Sequence, residues 1–342
     1  MKILVGISGG VDSAAAAKIL LSEGHEVEGA VLVMHEHTEL SSARQVASEL
    51  GIRLHEVDCR SEFDAIVKSN LVQEYLRGRT PNPCIVCNQH VKFENLYNYA
   101  MGHGFDAIAT GHYARIVRLE DGGAERFAVA TAGDGRKDQS YMLYRLPQRV
   151  LTALVLPLSE LEKSRVRALA DSVGISVADR PDSQEICFLP DGNHAEYIES
   201  VAGKCPEGHF ISPDGSILGR HKGIVRYTVG QRKGLGIALG ERVFVTDIDA
   251  ESNTVTLSPT MTGRDRIVLT DVVFSGMSRP ENGARIPVRV KVRYSAPAVE
   301  AEALIEPDGS VTLSFEAPVK AAPGQSAVAY ENGAVLFGGY IN

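Results

Sequence analysis

The sequence has no tryptophan, few other aromatic residues and no long apolar run. Because a membrane-spanning helix needs about 20 consecutive apolar residues, none is predicted. The chain runs from Met1 into an apolar strand without the apolar segment and cleavage site of a signal peptide, so we expect a cytoplasmic protein that binds no membrane. Its five cysteines are then expected to be reduced, which favours catalytic or metal-binding roles over disulfides.

Acidic residues outnumber basic ones, and the formal net charge is −8 at pH 7. This charge argues against nonspecific adhesion to nucleic acid, but it is compatible with a local basic face. With 342 residues, the chain is long enough for two or three hydrophobic cores. Function must therefore be sought in the motifs.

A loop of serine and glycine, Ser8-Gly9-Gly10-Val11-Asp12-Ser13, separates a predicted strand, Lys2–Ile7, from an alanine-rich helix, Ala14–Leu21. Glycines let backbone N–H groups approach an anion, and the helix dipole adds to the attraction. No lysine follows the glycines, so this is not a Walker motif. A glycine turn alone is typical of any tight strand–helix connection. The whole string resembles the pyrophosphate loop of ATP pyrophosphatases, with Asp12 placed to hold a magnesium ion.

Strands and helices alternate through the first half of the chain. Further strands are predicted at Glu26–Met34, Arg53–Val57 and Asp106–Thr110, and helices at Ser41–Leu50, Glu62–Leu76 and Asn88–His103. Ser41 or Ser42 is the expected N-cap of the first of these helices. This order predicts an α/β fold, a parallel sheet with helices on both faces that binds ligands beyond the carboxyl ends of its strands.

After about residue 205, glycine, proline and short alternating runs replace this pattern. They are typical of antiparallel strands in a small barrel or sandwich. The predicted strands are Arg242–Ile248, Thr254–Leu257, Val288–Tyr294, Ala301–Ile305, Val311–Phe315 and Ala327–Tyr330. We place domain boundaries near residues 205 and 270, which gives domains 1–205, 206–270 and 271–342.

Two cysteine-bearing loops lie far apart in the sequence. The first, Thr80–Asn88, has two prolines that stiffen an extended loop, and Cys87 stands where the predicted helix begins. A helix N-terminus lowers the pKa of a thiol, so Cys87 is expected to form a thiolate. The second loop, Asp182–Phe188, contains Cys187. Free cysteines are commonly just small buried side chains, so neither loop indicates catalysis by itself.

Six motifs in one order resemble the family of tRNA-specific 2-thiouridylases, from Met1 to about Gln325. They are Ser-Gly-Gly-Val-Asp-Ser, Thr-Pro-Asn-Pro-x-x-x-Cys-Asn, Ala-Thr-Gly-His-Tyr, Lys-Asp-Gln-Ser-Tyr, Asp-Ser-Gln-Glu-Ile-Cys-Phe and Tyr-Thr-Val-Gly-Gln-Arg-Lys-Gly-Leu-Gly. The resemblance implies ATP-dependent exchange of oxygen for sulfur on the wobble uridine of tRNA. It also implies a pyrophosphate-loop catalytic domain, a small central tRNA-binding domain and a C-terminal antiparallel β-barrel that binds tRNA.

The resemblance also implies roles for individual residues. Transfer of AMP from ATP makes the carbonyl oxygen a leaving group, which a sulfur nucleophile then displaces. Cys187 would carry a persulfide supplied by a sulfur-relay protein, and Cys87 would be the partner thiol, so that both end as a disulfide. The implied ATP contacts are Gly6, Ile7, Ser8, Gly9, Gly10, Val11, Asp12, Ser13, Met34 and Gly111. The implied tRNA contacts are Asn82, Pro83 and Cys84 at the target base, and His112, Lys137, Asp138, Gln139, Arg293, Tyr294 and Gln325.

Cys84 departs from the family pattern, which commonly has an aspartate at this position. In the family, that aspartate is thought to transfer protons. Because this chain has Cys84 instead, the family's acid–base assignment is in doubt here. The change also gives three thiolates, Cys84, Cys87 and Cys187, which are enough to hold three irons of a 4Fe–4S cluster and leave the fourth open to sulfide. The sequence leaves the persulfide and cluster routes open.

Two basic runs in the second half are candidates for phosphate binding. Between residues 220 and 242 the only acid is Glu241, whereas the bases are Arg220, Lys222, Arg226, Arg232, Lys233 and Arg242. In a later strand, Arg289, Lys291 and Arg293 alternate with apolar residues, which puts three cations on one face. Charge runs are usually solvated surface, but the family resemblance favours contact with tRNA.

Two other functions remain to be distinguished. Another adenylate-forming ligase of the same fold would not need Cys87 and Cys187, because nitrogen transfer uses no thiol. A noncatalytic ATP-dependent RNA-binding protein would keep the basic face but tolerate the loss of every cysteine.

Overall fold

The computed structural model of the chain describes residues 1–172, 186–189 and 191–342. Asp182–Glu185, the first four residues of the predicted Cys187 motif, lie outside the described residues. Within the described ranges, no helix is long and apolar enough to cross a membrane.

The amino-terminal part of the protein is built on a parallel sheet. In chain order, the strands of this part are β1 Lys2–Gly6, β2 Glu26–Val33, β3 Leu54–Asp58, β4 Ala107–Ala109, β5 Arg115–Asp121, β6 Ala124–Ala130 and β7 Leu154–Val155. The sheet has the order β3-β2-β1-β4-β7, and each pairing is parallel. Leu4 packs into one hydrophobic cluster while Ile3 and Val5 pack into another, so both faces are covered. The predicted α/β sheet is confirmed.

The predicted helices are present, although several of their ends differ. The α-helices of the described residues are α1 Val11–Ser22, α2 Leu40–Leu50, α3 Arg60–Glu62, α4 Ser69–Leu76, α5 Pro83–Cys87, α6 Phe93–Gly102, α7 Gln148–Leu151, α8 Lys163–Ser172 and α9 His194–Ala202. The prediction that a serine caps α2 is wrong, because α2 begins one residue before Ser41. Glu39 is the N-cap residue, and its carboxylate accepts a hydrogen bond from the Ser42 hydroxyl at 3.1 Å.

The helix that carries Cys87 begins earlier than predicted. Asn82 is its N-cap, with a side-chain oxygen that accepts a hydrogen bond from the Cys84 N–H at 3.1 Å, and Pro83 occupies the first helical position. A π-helical turn, Asn88–Lys92, joins α5 to α6, and a second one, Phe63–Lys68, joins α3 to α4. Pro83 therefore starts a helix instead of stiffening an extended loop, and Cys87 lies at the end of α5 instead of at its N-terminus.

Strands β8 to β17 form the rest of the protein. The central sheet contains β8 Gly208–Ile211, β9 Ile217–His221, β10 Phe244–Asp249 and β11 Thr254–Ser258, in the order β10-β11-β8-β9. The last six strands are β12 Arg264–Val273, β13 Arg285–Lys291, β14 Val299–Ile305, β15 Val311–Val319, β16 Ser326–Glu331 and β17 Ala334–Ile341. They form an antiparallel barrel that closes through β12 and β17, as predicted. The predicted domain boundaries stay predictions, and the second one falls within β12.

A hairpin from the amino-terminal part joins the barrel. Strands β5 and β6 continue the barrel sheet beyond β17, where Ala130 pairs with Ala334 and the Thr131 N–H donates to the Gly333 carbonyl at 2.9 Å. The Arg126 guanidinium also donates to two carbonyls just after β12, those of Phe274 and Ser275. This hairpin was not predicted, and it fixes the barrel against the nucleotide-binding sheet.

Candidate active site

The glycine loop lies between β1 and α1 at the carboxyl edge of the sheet. Gly9 has a φ of +78°, and a Cβ there would lie 2.6 Å from the Ser42 Cβ, so only glycine fits. The Ser13 hydroxyl donates to the Gly10 carbonyl at 2.9 Å, which holds the loop closed. Within the described part of the chain, no side-chain cap is seen at the start of α1, so its first N–H groups are left to bind an anion.

Only part of the loop presents side chains to a ligand. Ile7 and Val11 are buried in the core, so their backbone atoms alone can face a nucleotide. A Cβ at Gly6 would make ordinary contacts, whereas one at Gly111 would lie 2.6 Å from the Asp12 backbone carbon. Gly111 therefore has to be glycine so that the segment after β4 can pack against the loop.

The Asp12 carboxylate is held by a lysine and a tyrosine. Lys163 Nζ lies 2.8 and 2.7 Å from its two oxygens, and the Tyr113 hydroxyl donates to Oδ1 at 2.7 Å. The lysine ammonium is also 5.8 Å from the centre of the Tyr113 ring. Lys163 is the first residue of α8, which packs against α1. A charged pair thus lies at the mouth of the anion-binding loop.

Met34 connects the nucleotide edge to the first cysteine loop. It follows β2 directly, and its sulfur lies 3.7 Å from the sulfur of Cys87. The Cys87 side chain is buried, whereas solvent reaches the side chains of Cys84 and Cys187. The three cysteines influence one another's pKa values, since Cys84 and Cys187 both raise the pKa of Cys87. The sequence-predicted ATP residue and the two thiol loops therefore belong to one site.

The expectation that Cys87 has a lowered pKa is wrong. Burial raises the pKa of its thiol to about 11, because Cys87 ends α5 and lies away from the helix N-terminus. Burial likewise raises the pKa values of Cys84 and Cys187, although solvent touches both. The positive charge of Lys92 opposes the increase at each of the three thiols, and the Lys92 N–H donates to the Cys87 sulfur.

A cluster held by Cys84, Cys87 and Cys187 is one of the two predicted sulfur routes. Among the residues that the structure describes, no group of three or more His, Cys, Asp or Glu side chains is placed to hold a metal ion. All five cysteines are free thiols. A 4Fe–4S cluster would bind a different iron at each of the three thiols, so the absence of a single-ion site in the described part of the chain leaves the cluster a prediction.

The barrel supports the loop that precedes Cys84. The Gln325 side chain donates to the Thr80 carbonyl at 2.8 Å, and the Thr80 N–H donates to the Pro323 carbonyl at 2.8 Å. Gly324 has a φ of +87°, and a Cβ there would lie 2.9 Å from the Thr80 nitrogen. Gln325 and Asn82, both predicted to contact tRNA, are thus brought together although they lie far apart in the sequence.

His112 lies at the same edge of the sheet, and its own side chain is neutral. Its Nδ1 is 2.9 Å from the Thr110 hydroxyl, and its ring is 5.4 Å from that of Phe93. Burial, with a smaller effect of the Lys92 charge, lowers the pKa of His112 to about 3. His112 is therefore a neutral, hydrogen-bonding imidazole at neutral pH and not a cation.

The lowered pKa of His112 predicts a loss of stability in acid. Below pH 6.5, an unfolded chain protonates this histidine, whereas the folded chain does not until about pH 3. The free energy of unfolding should therefore fall as the pH decreases, by up to about 1.4 kcal/mol per pH unit. We expect His112→Asn to lose less stability than the wild type between about pH 6.5 and 5 in urea unfolding. Equal losses in the two proteins would contradict the assignment.

The segment Lys137–Gln139 is tied into the protein core. The Asp138 carboxylate is buried and accepts hydrogen bonds from the Ser140 N–H and hydroxyl, and Lys291 Nζ lies 3.2 Å from it. Gln139 makes two hydrogen bonds with Tyr113: its N–H donates to the Tyr113 carbonyl, and its side-chain oxygen accepts from the Tyr113 N–H. The hydrogen bonds of buried Asp138 therefore fix the conformation of this segment, and Gln139 connects the segment to Tyr113, which holds Asp12.

The prediction of three strand cations on one open face is wrong. Strand β13 ends at Lys291, which is paired with buried Asp138, and Arg289 lies 3.2 Å from Glu300 on the neighbouring strand. Arg293 lies beyond the strand and is exposed, as is Tyr294. Only Arg293 of the three cations has no carboxylate partner within the described part of the chain.

The basic run of the central domain is more open. Arg220 and Arg226 are paired with Glu207 and Glu199. No ion pair forms with the other four cations among the described residues, and all four are exposed: Lys222, Arg232, Lys233 and Arg242. A cavity of about 570 Å³ lies between Arg232 and Arg242. This surface keeps the positive charge that the sequence indicated.

Sequence reasoning missed two cations and a tyrosine of this site: Lys92, Lys163 and Tyr113. Lys163 had a recognisable signal, since a lysine in the first turn of a helix is unfavourable beside the helix dipole and calls for an anionic partner. Lys92 had none, because its position beside the thiols depends on the π-helical turn after Cys87.

Three family models match consecutive parts of the chain. They are described as a tRNA methyl transferase HUP domain at residues 1–191, a tRNA methyl transferase PRC-barrel domain at residues 195–259 and an aminomethyltransferase beta-barrel domain at residues 264–341. One solved structure, a 4-thiouridine synthetase–RNA complex with bound ATP, matches 58% of this chain and 50% of that chain at 18% identity. Its TM-score of 0.37 is too low to support a structural inference. Fold and site together define a nucleotide-binding enzyme of the pyrophosphate-loop class.

The curated relatives include proteins named tRNA-specific 2-thiouridylase MnmA. Those of Clostridium beijerinckii and Acetivibrio thermocellus are 41% and 42% identical over 99% of this chain and over 98% and 99% of their own lengths. That of Treponema denticola is 40% identical over 100% of this chain and 98% of its own length. The chain therefore belongs to the tRNA-specific 2-thiouridylase family, as its motifs predicted, and it is a tRNA sulfurtransferase.

Proposed function

We propose that this chain replaces the 2-oxygen of the wobble uridine of tRNA with sulfur, using ATP and a persulfide on Cys187. The observation that carries the proposal is that the two cysteine loops supply one buried thiol, Cys87, and one accessible thiol, Cys187. Cys87 is buried against Met34 at the nucleotide edge, whereas solvent reaches Cys187. A sulfur-donor protein can load only an accessible cysteine, so Cys187 suits the acceptor role and Cys87 the resolving role.

The first step of the proposed reaction is adenylation. The uridine O2 bonds to the α-phosphorus of ATP, the bond to the bridging oxygen breaks, and pyrophosphate leaves with the electron pair. The uncapped N–H groups of α1 and the Gly9 turn offer donors to the phosphates. Asp12 supplies a carboxylate in the first turn of α1, and one carboxylate with phosphate oxygens is a usual magnesium environment. A bound magnesium ion would neutralise phosphate charge.

The second step transfers the sulfur. The terminal sulfur of the Cys187 persulfide bonds to C2, and AMP leaves with the former O2. The Cys87 thiolate then attacks the Cys187 sulfur, the S–S bond breaks, and the product is 2-thiouridine with a Cys87–Cys187 disulfide. Because the pKa of Cys87 is about 11, its thiol must lose a proton during this step. The positive charge of Lys92 favours that loss.

A 4Fe–4S cluster on Cys84, Cys87 and Cys187 is the alternative source of sulfur. The described residues contain no site for a single metal ion and the cluster itself stays a prediction, so we derive no step through it. The noncatalytic alternative, an ATP-dependent RNA-binding protein, gives no role to a thiol buried beside Met34. The cytoplasmic location and the identity of the sulfur donor stay predictions.

The proposed tRNA surface runs from the central domain to the barrel. Exposed cations of the central domain and Arg293 beside the barrel would bind phosphates, and Tyr294 offers a ring for stacking. The target base would be flipped toward Asn82, Pro83 and Cys84, which Gln325 supports from the barrel side.

The proposal is tested by incubating the purified protein with ATP, magnesium, unmodified tRNA and a persulfide donor. Nucleoside mass spectrometry should then show 2-thiouridine, and its formation should require every component. Pyrophosphate release without any thionucleoside would support another adenylate-forming enzyme, and tRNA binding without pyrophosphate release would support the noncatalytic alternative.

Arg293 and Arg289 make a matched pair for the tRNA surface. Arg293→Ala should weaken tRNA binding and reduce the slope of log K against log salt by about one unit, because one phosphate contact is lost. Arg289→Ala should leave the slope nearly unchanged, since Glu300 already neutralises this arginine. Filter binding over a salt series measures both. Equal slopes for Arg293→Ala and the wild type would remove Arg293 from the phosphate contacts.

A further inference from the structure

We propose that Arg145 is a positioning residue for the thiol chemistry, and that it acts by holding the turn after Cys87 in place through Gln89. The inference deepens the proposed function and rests on the resolving role given there to Cys87. It starts from the π-helical turn Asn88–Lys92, which joins α5 to α6. Turns of this kind are rare and occur frequently at functional sites.

The geometry of this turn decides which groups lie beside Cys87. The Phe93 N–H donates to the Asn88 carbonyl five residues back, as a π-helical turn requires. The Lys92 N–H is then able to donate to the Cys87 sulfur, and the Lys92 charge opposes the increase in pKa that burial causes at this thiol. In α-helical geometry the Lys92 N–H would donate to the Asn88 carbonyl four residues back and would be lost to the sulfur.

Two hydrogen bonds from one segment hold the turn in this geometry. Asn88 Nδ2 donates to the Met142 carbonyl at 3.1 Å, and Arg145 Nε donates to Gln89 Oε1. Met142 lies in a 3-10 helix, Ser140–Leu143, and Arg145 follows that helix two residues later. The arginine is only 4% exposed, so water does not readily replace its bond to the turn.

The barrel fixes Arg145 from its other side. Nη1 donates to the Asp271 carbonyl at 2.9 Å, and Nη2 donates to the Asp271 carboxylate at 2.7 Å. Asp271 has a φ of +48°, which is costly for a residue other than glycine, and it lies where the pairing of β12 with β17 shifts register. The guanidinium also lies 4.8 Å from the centre of the Tyr340 ring on β17. The barrel and the thiol turn therefore share one buried cation.

The segment that precedes Arg145 is bound to the barrel as well. The Tyr141 hydroxyl donates to the Ser326 carbonyl at 2.7 Å, and the Ser140 hydroxyl lies 3.2 Å from the Tyr330 hydroxyl. These contacts leave the segment little freedom to move apart from the barrel. The thiol turn is thereby fixed relative to the surface proposed to bind tRNA.

Gln89→Met tests the inference, because it removes the acceptor of the Arg145 bond and leaves the pair with the barrel intact. The turn then relaxes toward α-helical geometry and the Lys92 N–H leaves the sulfur. Iodoacetamide should therefore alkylate Cys87 about threefold to tenfold more slowly at pH 8 than in the wild type, because less of the thiol is ionised. Arg145→Met should have the same effect, and Arg149→Met, which changes an exposed arginine, is the matched control.

The direction of the change separates positioning from a structural tie. Loosened packing alone would expose a buried thiol and speed its alkylation, so faster or unchanged alkylation of Cys87 in Gln89→Met would overturn the inference. Site-resolved peptide mass spectrometry measures the rate. The assay contains neither tRNA nor a sulfur donor, so a failure of the proposed thiolation would leave its outcome unaffected.

A double variant and the full reaction give a second test. Gln89→Met/Arg145→Met should lose no more of the alkylation rate than the slower single variant, since both changes break the same bond. With saturating tRNA, Gln89→Met should release pyrophosphate at the wild-type rate, while the Cys87–Cys187 disulfide forms at least about threefold more slowly. Additive losses in the double variant, or an equal fall in pyrophosphate release, would contradict a positioning role at the thiol.

Discussion

Replacing Cys187 with serine is expected to abolish 2-thiouridine formation while tRNA-dependent pyrophosphate release continues. Serine cannot carry a persulfide, but the phosphate-binding loop and Asp12 are unchanged by the substitution. We expect the rate of thiolation to fall by at least about a thousandfold, as for other lost nucleophiles. Nucleoside mass spectrometry and a pyrophosphate assay on the same reaction measure the two outcomes.

Controls separate this effect from general damage. Cys205→Ser changes a buried cysteine outside the proposed sulfur route and should retain thiolation. Cys87→Ser should allow the persulfide on Cys187 to form but block release of the thionucleoside, because no thiol resolves the adduct. Normal thiolation by Cys187→Ser would remove Cys187 from the reaction.

Asp12→Asn is expected to have the largest effect on the first step. It removes the carboxylate proposed to hold magnesium and breaks the ion pair between Asp12 and Lys163 at the phosphate loop. We expect tRNA-dependent pyrophosphate release to fall by about a hundredfold to a thousandfold. The affinity for tRNA should stay close to that of the wild type, because the basic surface lies in the other two domains. Pyrophosphate release at the normal rate would contradict the assignment of the loop.

The fold of the first half was predictable because local patterns decide it. Apolar strands, helix periodicity and the glycine string place β1, α1 and the loop correctly to within a few residues. The pairing of the β5–β6 hairpin with the barrel was not predictable, since Ala130 pairs with Ala334 and nothing local in either segment indicates that partner. Asn82 before Pro83 is a recognisable helix start, yet the prolines were interpreted as an extended loop.

In the candidate site, too, some features follow from local sequence and others depend on distant residues. Gly111 packs against Asp12, and Cys87 lies beside Met34, whereas the roles that the family resemblance implied for them stay predictions. The chemical state of these residues depends on distant partners: Asp138 neutralises Lys291, and burial raises the pKa of Cys87. Such effects arise from tertiary packing, so a sequence that shows three alternating cations cannot show that two of them are already paired.

The most direct test of the account is a single turnover with iron-free protein purified without oxygen. The protein is supplied with ATP, magnesium, unmodified tRNA and a persulfide donor, and both products are analysed by mass spectrometry. The account predicts 2-thiouridine in the tRNA together with a Cys87–Cys187 disulfide in the protein. Thiolation that requires iron and free sulfide, with a brown protein and no such disulfide, would contradict it.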